Sequence, residues 1–141
     1  MTLFAMPGHL IRRLQQRSNQ VFQEKMKQLE LDITSVQFAA MHALYDEKQM
    51  EQAQIAAHIA YDKATIGGVI DRLEKKGWIS RTPSLKDKRA KIVTLTKSGE
   101  AIFLQLLPEV QNLQSDILNG LDQQQTTLFI ELASIAVSQK K

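Results

Sequence analysis

The sequence predicts a mainly α-helical fold carrying one small β-hairpin. Apolar residues recur near the helical period along most of the chain, capping signals mark several helix starts, and the stretch 90–95 alternates as a strand does.

The first helix is expected from His9 to about Leu31, where Leu10, Leu14, Val21, Met26 and Leu29 recur, with Ile11, Ser18 and Phe22 beside them. Pro7 falls at or just before its first turn, where a missing N–H costs nothing. Thr34 and Gln37 form a capping box, with Ile33 and Phe38 as a hydrophobic staple, for a second helix running to about Tyr45. Asp46 to Gln49 reads as a polar loop. A short helix with Ile55, Ala56 and Ile59 starts near Glu51 or Gln52. Asp62 then caps a fourth helix, stapled by Tyr61 and Ile66, buried along Ile66, Ile70 and Leu73, and ended by Gly77. Two short helices joined by a tight turn make a helix-turn-helix.

Trp78 to Arg81 is short enough for a strand, Thr82 to Arg89 is a basic loop, and Ala90 to Leu95 is the returning strand. This hairpin would be the wing of a winged helix-turn-helix. Thr96 caps the next helix, which carries Ile102, Phe103, Leu106, Leu107, Val110, Leu113, Ile117 and Leu118 and is closed by Gly120. Pro108 inside it predicts a bend or a break. Asp122 with Gln125 caps a last helix lined by Leu128, Leu132 and Ile135, which frays into the polar tail Gln139 to Lys141.

The 141 residues read as a single domain with a real core. Residues 34–96 form the winged helix-turn-helix lobe, and 8–31 with 98–138 supply mainly dimerisation helices. The apolar faces of these end helices exceed what a compact core can cover. A second copy related by two-fold symmetry is the economical cover; folding back onto their own domain is the alternative.

With no cysteine, disulfides, thiolate metal sites and thiol chemistry are excluded. No targeting segment or membrane-spanning run is apparent, so a cytoplasmic location without membrane contact is expected. The net charge is only +3, but its distribution is uneven. From Lys63 to Lys97 there are ten basic residues against Asp71, Glu74 and Asp87, whereas Asp116 to Glu131 holds three acids and no base. A polyanionic partner or an ordinary solvated surface would both fit that segment.

On the fourth helix the residues opposite the buried stripe are Ala64, Thr65, Gly68, Arg72 and Lys75. This surface suits a major groove: Thr65 can touch a thymine methyl or donate to a base edge, and Lys63, Arg72 and Lys75 can meet phosphate or guanine. Gly67 and Gly68 each cost about 1 kcal/mol of helix propensity. Close approach to DNA or to the preceding helix would offset that. In the loop, Lys86, Lys88 and Arg89 can reach a minor groove, or form a solvated basic turn.

Enzyme chemistry finds no support, and no cofactor is expected. His9, His42 and His58 are dispersed, and no phosphate-binding glycine loop or nucleophile elbow is present. A metal-responsive regulator would need His42 and His58 to converge with acids such as Glu47. A protein-interaction module using the winged fold without sequence-specific DNA binding is the other alternative, opposed by the basic stretch from Lys86 to Lys91.

Arg72-Leu73-Glu74 with Gly77 and Arg81, Asp87-x-Arg89, and Leu95-Thr96 with Gly99 together resemble the signature of the MarR family of winged helix-turn-helix transcriptional regulators. The resemblance extends over nearly the whole chain and implies a homodimer on pseudo-palindromic double-stranded DNA. Its recognition helices would enter successive major grooves, and Arg89 of each wing, oriented by Asp87, a minor groove. It also implies an Asp71–Arg81 pair that supports the wing, and a phosphate contact from Arg72. Gly67-Gly68 departs from the family pattern, in which bulkier or polar residues are more familiar.

The opening from Pro7 to Leu14 resembles that of regulators controlling degradation of nicotinate-type or other aromatic acids. That implies a repressor released by a small aromatic carboxylate, with His9, Arg12 or Arg13 neutralising the acid and Phe38, His42 and Tyr45 completing the pocket. Alternatively, His42 is a core or interface histidine, and Arg12 or Arg13 holds the dimer.

Overall fold

The computed structural model describes residues 1–138, so the expected polar tail Gln139 to Lys141 lies outside the described residues. After a 3-10 turn (Leu3–Ala5) come α1 (Pro7–Gln28), α2 (Ser35–Glu47), β1 (Gln49–Glu51), α3 (Gln52–His58) and α4 (Lys63–Lys75). They are followed by β2 (Ile79–Pro83), β3 (Lys91–Leu95), α5 (Lys97–Ile117) and α6 (Gln123–Val137).

Local chemistry accounts for most of these boundaries. Pro7 occupies the first turn of α1. Thr34 Oγ1 accepts the Gln37 amide at 3.1 Å, and Gln37 Oε1 accepts the Thr34 amide at 3.1 Å, while Ile33 and Phe38 are both buried. Asp122 and Gln125 repeat the reciprocal cap at α6, at 2.9 and 3.0 Å. Thr96 caps α5 by accepting the Gly99 amide at 3.0 Å.

Several expectations need correction. α1 stops three residues before Leu31, because Glu30 turns left-handed (φ 57°) and the Leu31 amide donates back to Met26 O at 2.9 Å. The polar stretch Asp46 to Gln49 is not a loop. α2 continues through Glu47, and Gln49–Glu51 pairs antiparallel with β3, Met50 opposite Val93, making a three-stranded sheet in the order β1-β3-β2. The hairpin strands start one residue later than expected and β2 extends to Pro83, which pairs with Lys91. Tyr61 stays at the surface while its expected staple partner Ile66 is buried. α5 does not break at Pro108. The proline withholds one N–H from Leu104 O, and Leu104 stands on the exposed side of the helix, where water can serve that carbonyl. Gly120 lies beyond α5, in a turn closed by the Leu121 amide on Leu118 O at 3.0 Å.

The core is built where α1, α2, α4, β3 and α5 meet, from Phe22, Met26, Phe38, Met41, Leu44, Ile66, Ile70, Leu73, Val93, Phe103 and Leu106. The chain ends remain outside it. α6 buries no residue, leaving Leu128, Leu132 and Ile135 each more than half exposed, and Leu10 and Ile11 on α1 are exposed as well. These faces therefore do not fold back onto their own domain.

Candidate nucleic-acid interface

Asp62 starts α4 by accepting the Thr65 amide at 2.7 Å and the Thr65 hydroxyl at 2.9 Å. These bonds, the amide first, hold the Asp62 carboxyl below the ordinary carboxylate range. Thr65 therefore spends its proton on Asp62, and its exposed surface offers a methyl group rather than a donor. Ile66, Val69, Ile70 and Leu73 anchor the helix, leaving Lys63, Ala64, Thr65, Gly68, Arg72 and Lys75 exposed. Among the described residues, Lys63, Arg72 and Lys75 enter no ion pair.

The paired glycines are not explained by packing within the chain. A Cβ placed at Gly67 or Gly68 would meet no heavy atom within 4 Å. Close contact with the preceding helix is thereby removed as their reason.

The wing is pinned by a residue that sequence reasoning missed. Ser84 is buried, its Oγ accepting the Lys86 and Asp87 amides at 3.2 and 3.4 Å and its amide donating to Ala90 O at 2.9 Å. Asp87 Oδ1 then accepts the Arg89 amide at 3.0 Å and Arg89 Nε at 3.3 Å. The Arg89 side chain is 93% exposed, so Asp87 aims it without burying it. Lys86 and Lys88 are exposed beside it. The wing root and the start of α4 are neighbours: Lys63, Ile66, Arg89 and Lys91 line one notch of about 310 Å³.

Arg81 ties this arrangement together. Its Nη2 lies 2.9 Å from Asp71 Oδ1 and 2.7 Å from Glu74 Oε1, Nε donates to Glu74 Oε2 at 3.3 Å, and Nη1 donates to Gln52 Oε1 at 3.2 Å. The expected Asp71 contact is present, but Glu74 receives the two-pronged fork and Gln52 adds α3 to the clamp. Hydrogen bonding to Arg81 lowers the Glu74 carboxyl below its ordinary value, and the same contact raises the Arg81 guanidinium.

The six residues expected around an effector are not brought together within one protomer. His9, Arg12 and Arg13 line a cavity of about 340 Å³ with Gln16 and Asn19. His9 Nε2 is buried without a hydrogen-bond partner, its ring edge-on to Phe4 at 5.3 Å. Phe38 and His42 line a separate groove of about 390 Å³ between α1, α2 and α5, shared with Ser18, Ser35, Leu107 and Gln111. Ser35 Oγ donates to Asn19 Oδ1 at 3.2 Å where the two cavities adjoin. Tyr45 borders neither, its ring packing on Phe103 at 4.9 Å. His42 is not a buried core histidine: its side chain is 46% exposed and lies 3.7 Å from Asp46. Nor do His42, His58 and Glu47 converge, since no group of three metal-ligating side chains assembles among the described residues.

No helix among the described residues is long and apolar enough to cross a membrane. The MarR family model matches residues 33–91, which contain the helix-turn-helix, β2 and the wing loop and end at the first residue of β3. The transcriptional repressor NicR of Pseudomonas putida is 35% identical over 116 residues, covering 80% of this chain and 72% of that protein. The structure of Bordetella bronchiseptica BpsR, whose DNA binding is regulated by 6-hydroxynicotinic acid, superposes with a TM-score of 0.89 over 99% of both chains at 26% identity. A MarR variant from E. coli complexed with operator DNA gives 0.83 at 27% identity, over 96% of this chain and 99% of that one. The matched winged helix-turn-helix and the repressor relative aligned over most of its length place this chain in the MarR family of transcriptional regulators.

Proposed function

We propose that the protein is a homodimeric repressor that binds a pseudo-palindromic duplex sequence-specifically and is released by a small aromatic carboxylate. The carrying observation is the notch that Lys63 of α4 shares with Arg89 and Lys91 of the wing, with Glu51 also on its wall, which sets the recognition helix and the wing side by side. On this reading Ala64, Thr65 and Gly68 approach base edges, and Lys63, Arg72 and Lys75 meet phosphate or guanine. Lys86, Lys88 and Arg89 follow the neighbouring minor groove, with Asp71, Arg81 and Asp87 as wing support. The uncovered apolar faces of α1 and α6 supply the two-fold contact. Selection from a random duplex pool, followed by sizing of the complex, tests this. An inverted repeat with half-sites about 34–36 Å apart, bound by two chains, is expected; no enriched repeat overturns it.

For release, the orphaned His9 Nε2 and the Arg12 and Arg13 guanidiniums offer an acid what it needs, and the Phe38–His42 groove offers an aromatic ring its walls. The control of BpsR by 6-hydroxynicotinic acid supports the same chemical class here. A ligand that prefers the non-binding conformation by about 1–3 kcal/mol weakens operator affinity roughly 5- to 150-fold. Titrating nicotinate, hydroxynicotinates and benzoates into the operator complex measures this. Unchanged affinity at saturating occupancy rules out each compound as the effector.

A further inference from the structure

Lys76 belongs to the basic run, yet its ammonium group is turned inward. It forms the C-terminal cap of α4, and its Nζ donates to the Asp32 carbonyl in the α1–α2 connection and to Gln37 Oε1 at 3.4 Å. The same nitrogen lies 4.8 Å from the centre of the Trp78 ring, at the root of the wing. Gln37 is itself buried, and its Oε1 also holds the Thr34 amide. One side chain thus joins the end of α4 to the α1–α2 connection, the first turn of α2 and the residue before β2. Its charge also suits a helix C-terminus.

We infer that Lys76 is a positioning residue that fixes the tilt of α4 against α2 and the α1–α2 connection, and thereby the half-site spacing the dimer accepts. The inference rests on the duplex reading above. α4 has 13 residues, so its groove-entering end lies about 20 Å from Lys76 at 1.5 Å per residue. A tilt of about 10° at the Lys76 end moves Lys63 by about 3.5 Å, close to the rise of about 3.4 Å per base pair. In the proposed dimer α1 belongs to the shared interface and α2 packs on it, so the angle of α4 to α2 and to the α1–α2 connection decides how far apart the two recognition helices stand. Ile66, Ile70 and Leu73 keep α4 packed without the tie, so its loss loosens tilt while preserving the fold.

The test uses the operator that the wild-type dimer selects, together with versions one base pair longer and one shorter between half-sites. Lys76→Met keeps the aliphatic stem over Trp78 and removes the donor; Lys76→Arg keeps charge and donors. Gln37→Glu keeps the capping box and gives Lys76 a carboxylate. Wild type and Lys76→Arg should lose roughly tenfold or more on the altered spacers, comparable to a misplaced base contact. In Lys76→Met the loss should shrink to within about threefold, and in Gln37→Glu it should grow. Reduced stability alone does not change the ratio between spacers, since that ratio is read from folded dimers. Wild-type discrimination in folded Lys76→Met overturns the inference, as does unchanged discrimination in Gln37→Glu should Lys76→Met not fold. A wild-type protein that selects no inverted repeat overturns the duplex reading and this inference with it.

Discussion

Replacing Gly68 by alanine separates what α4 does for the fold from what it is proposed to do for DNA. The added methyl meets no heavy atom within 4 Å and the position is exposed, so within the protein nothing opposes alanine's better helix propensity. The gain is about 1 kcal/mol, or about 4 °C in Tm for a chain of this size. In the groove the same methyl stands on the face shared by Ala64, Thr65 and Arg72, where it holds the helix away from the base edges. Losing about 1–3 kcal/mol per half-site, as for a mismatched base pair, lowers affinity roughly 5- to 150-fold for each half-site engaged. Binding to random duplex rests on phosphate contacts and should change little. Thermal unfolding and titrations of operator and random duplex on one preparation read all three quantities. Gly67→Ala, equally open but half-buried, should gain similar stability and keep its operator affinity. A Gly68→Ala protein that is more stable yet binds operator like wild type would refute close approach; one that is less stable would refute the open-space reading.

Four further outcomes are expected. In Gly99→Ala the new Cβ would lie 1.9 Å from Trp78 O, which already accepts the Thr96 amide at 3.0 Å. The backbone cannot yield cheaply, so denaturant titration should show a loss of about 3 kcal/mol or more; wild-type stability would contradict this. Arg72→Ala should weaken operator and random duplex alike and reduce the slope of log affinity against log salt by about one per site. Asp87→Ala should weaken operator binding despite making the protein more basic, because Arg89 must then order itself; tighter binding by the folded variant would defeat the wing mechanism. Asp62 and Glu74 are both held below their ordinary values. The stability they contribute is therefore complete above the unfolded values and is lost as pH falls through the folded ones, below about pH 4. Asp62→Asn, which keeps a cap, should flatten part of that acid slope in unfolding titrations.

What was legible in the sequence is what depends on neighbours along the chain. Thr34, Asp62, Thr96 and Asp122 each cap a helix through an amide three residues on, so the motif and the bond coincide. The end of α1 was not legible, because Glu30 takes a left-handed position for which a sequence ordinarily offers glycine or asparagine. β1 escaped for a different reason. Gln49-Met50-Glu51 has one inward residue, and only pairing with β3 makes it a strand. At the site, the Asp87–Arg89 contact is local, and the resemblance carried it. The Glu74 fork and the Gln52 contact to Arg81 depend on how β2 lies across α3 and α4, which no spacing rule supplies. The effector residues were proposed as one group because aromatic rings and arginines suit an aromatic acid. Tertiary packing assigns them to two adjoining cavities and leaves Tyr45 outside both.

The most direct measurement is a hydroxyl-radical and groove-specific footprint of the selected duplex at nucleotide resolution, with wild-type protein and Arg89→Ala. The account predicts two symmetry-related major-groove protections about one helical turn apart. Minor-groove protection should accompany each of them and weaken in Arg89→Ala while the major-groove pattern persists. A single asymmetric patch, or minor-groove protection unchanged by the loss of Arg89, would contradict it.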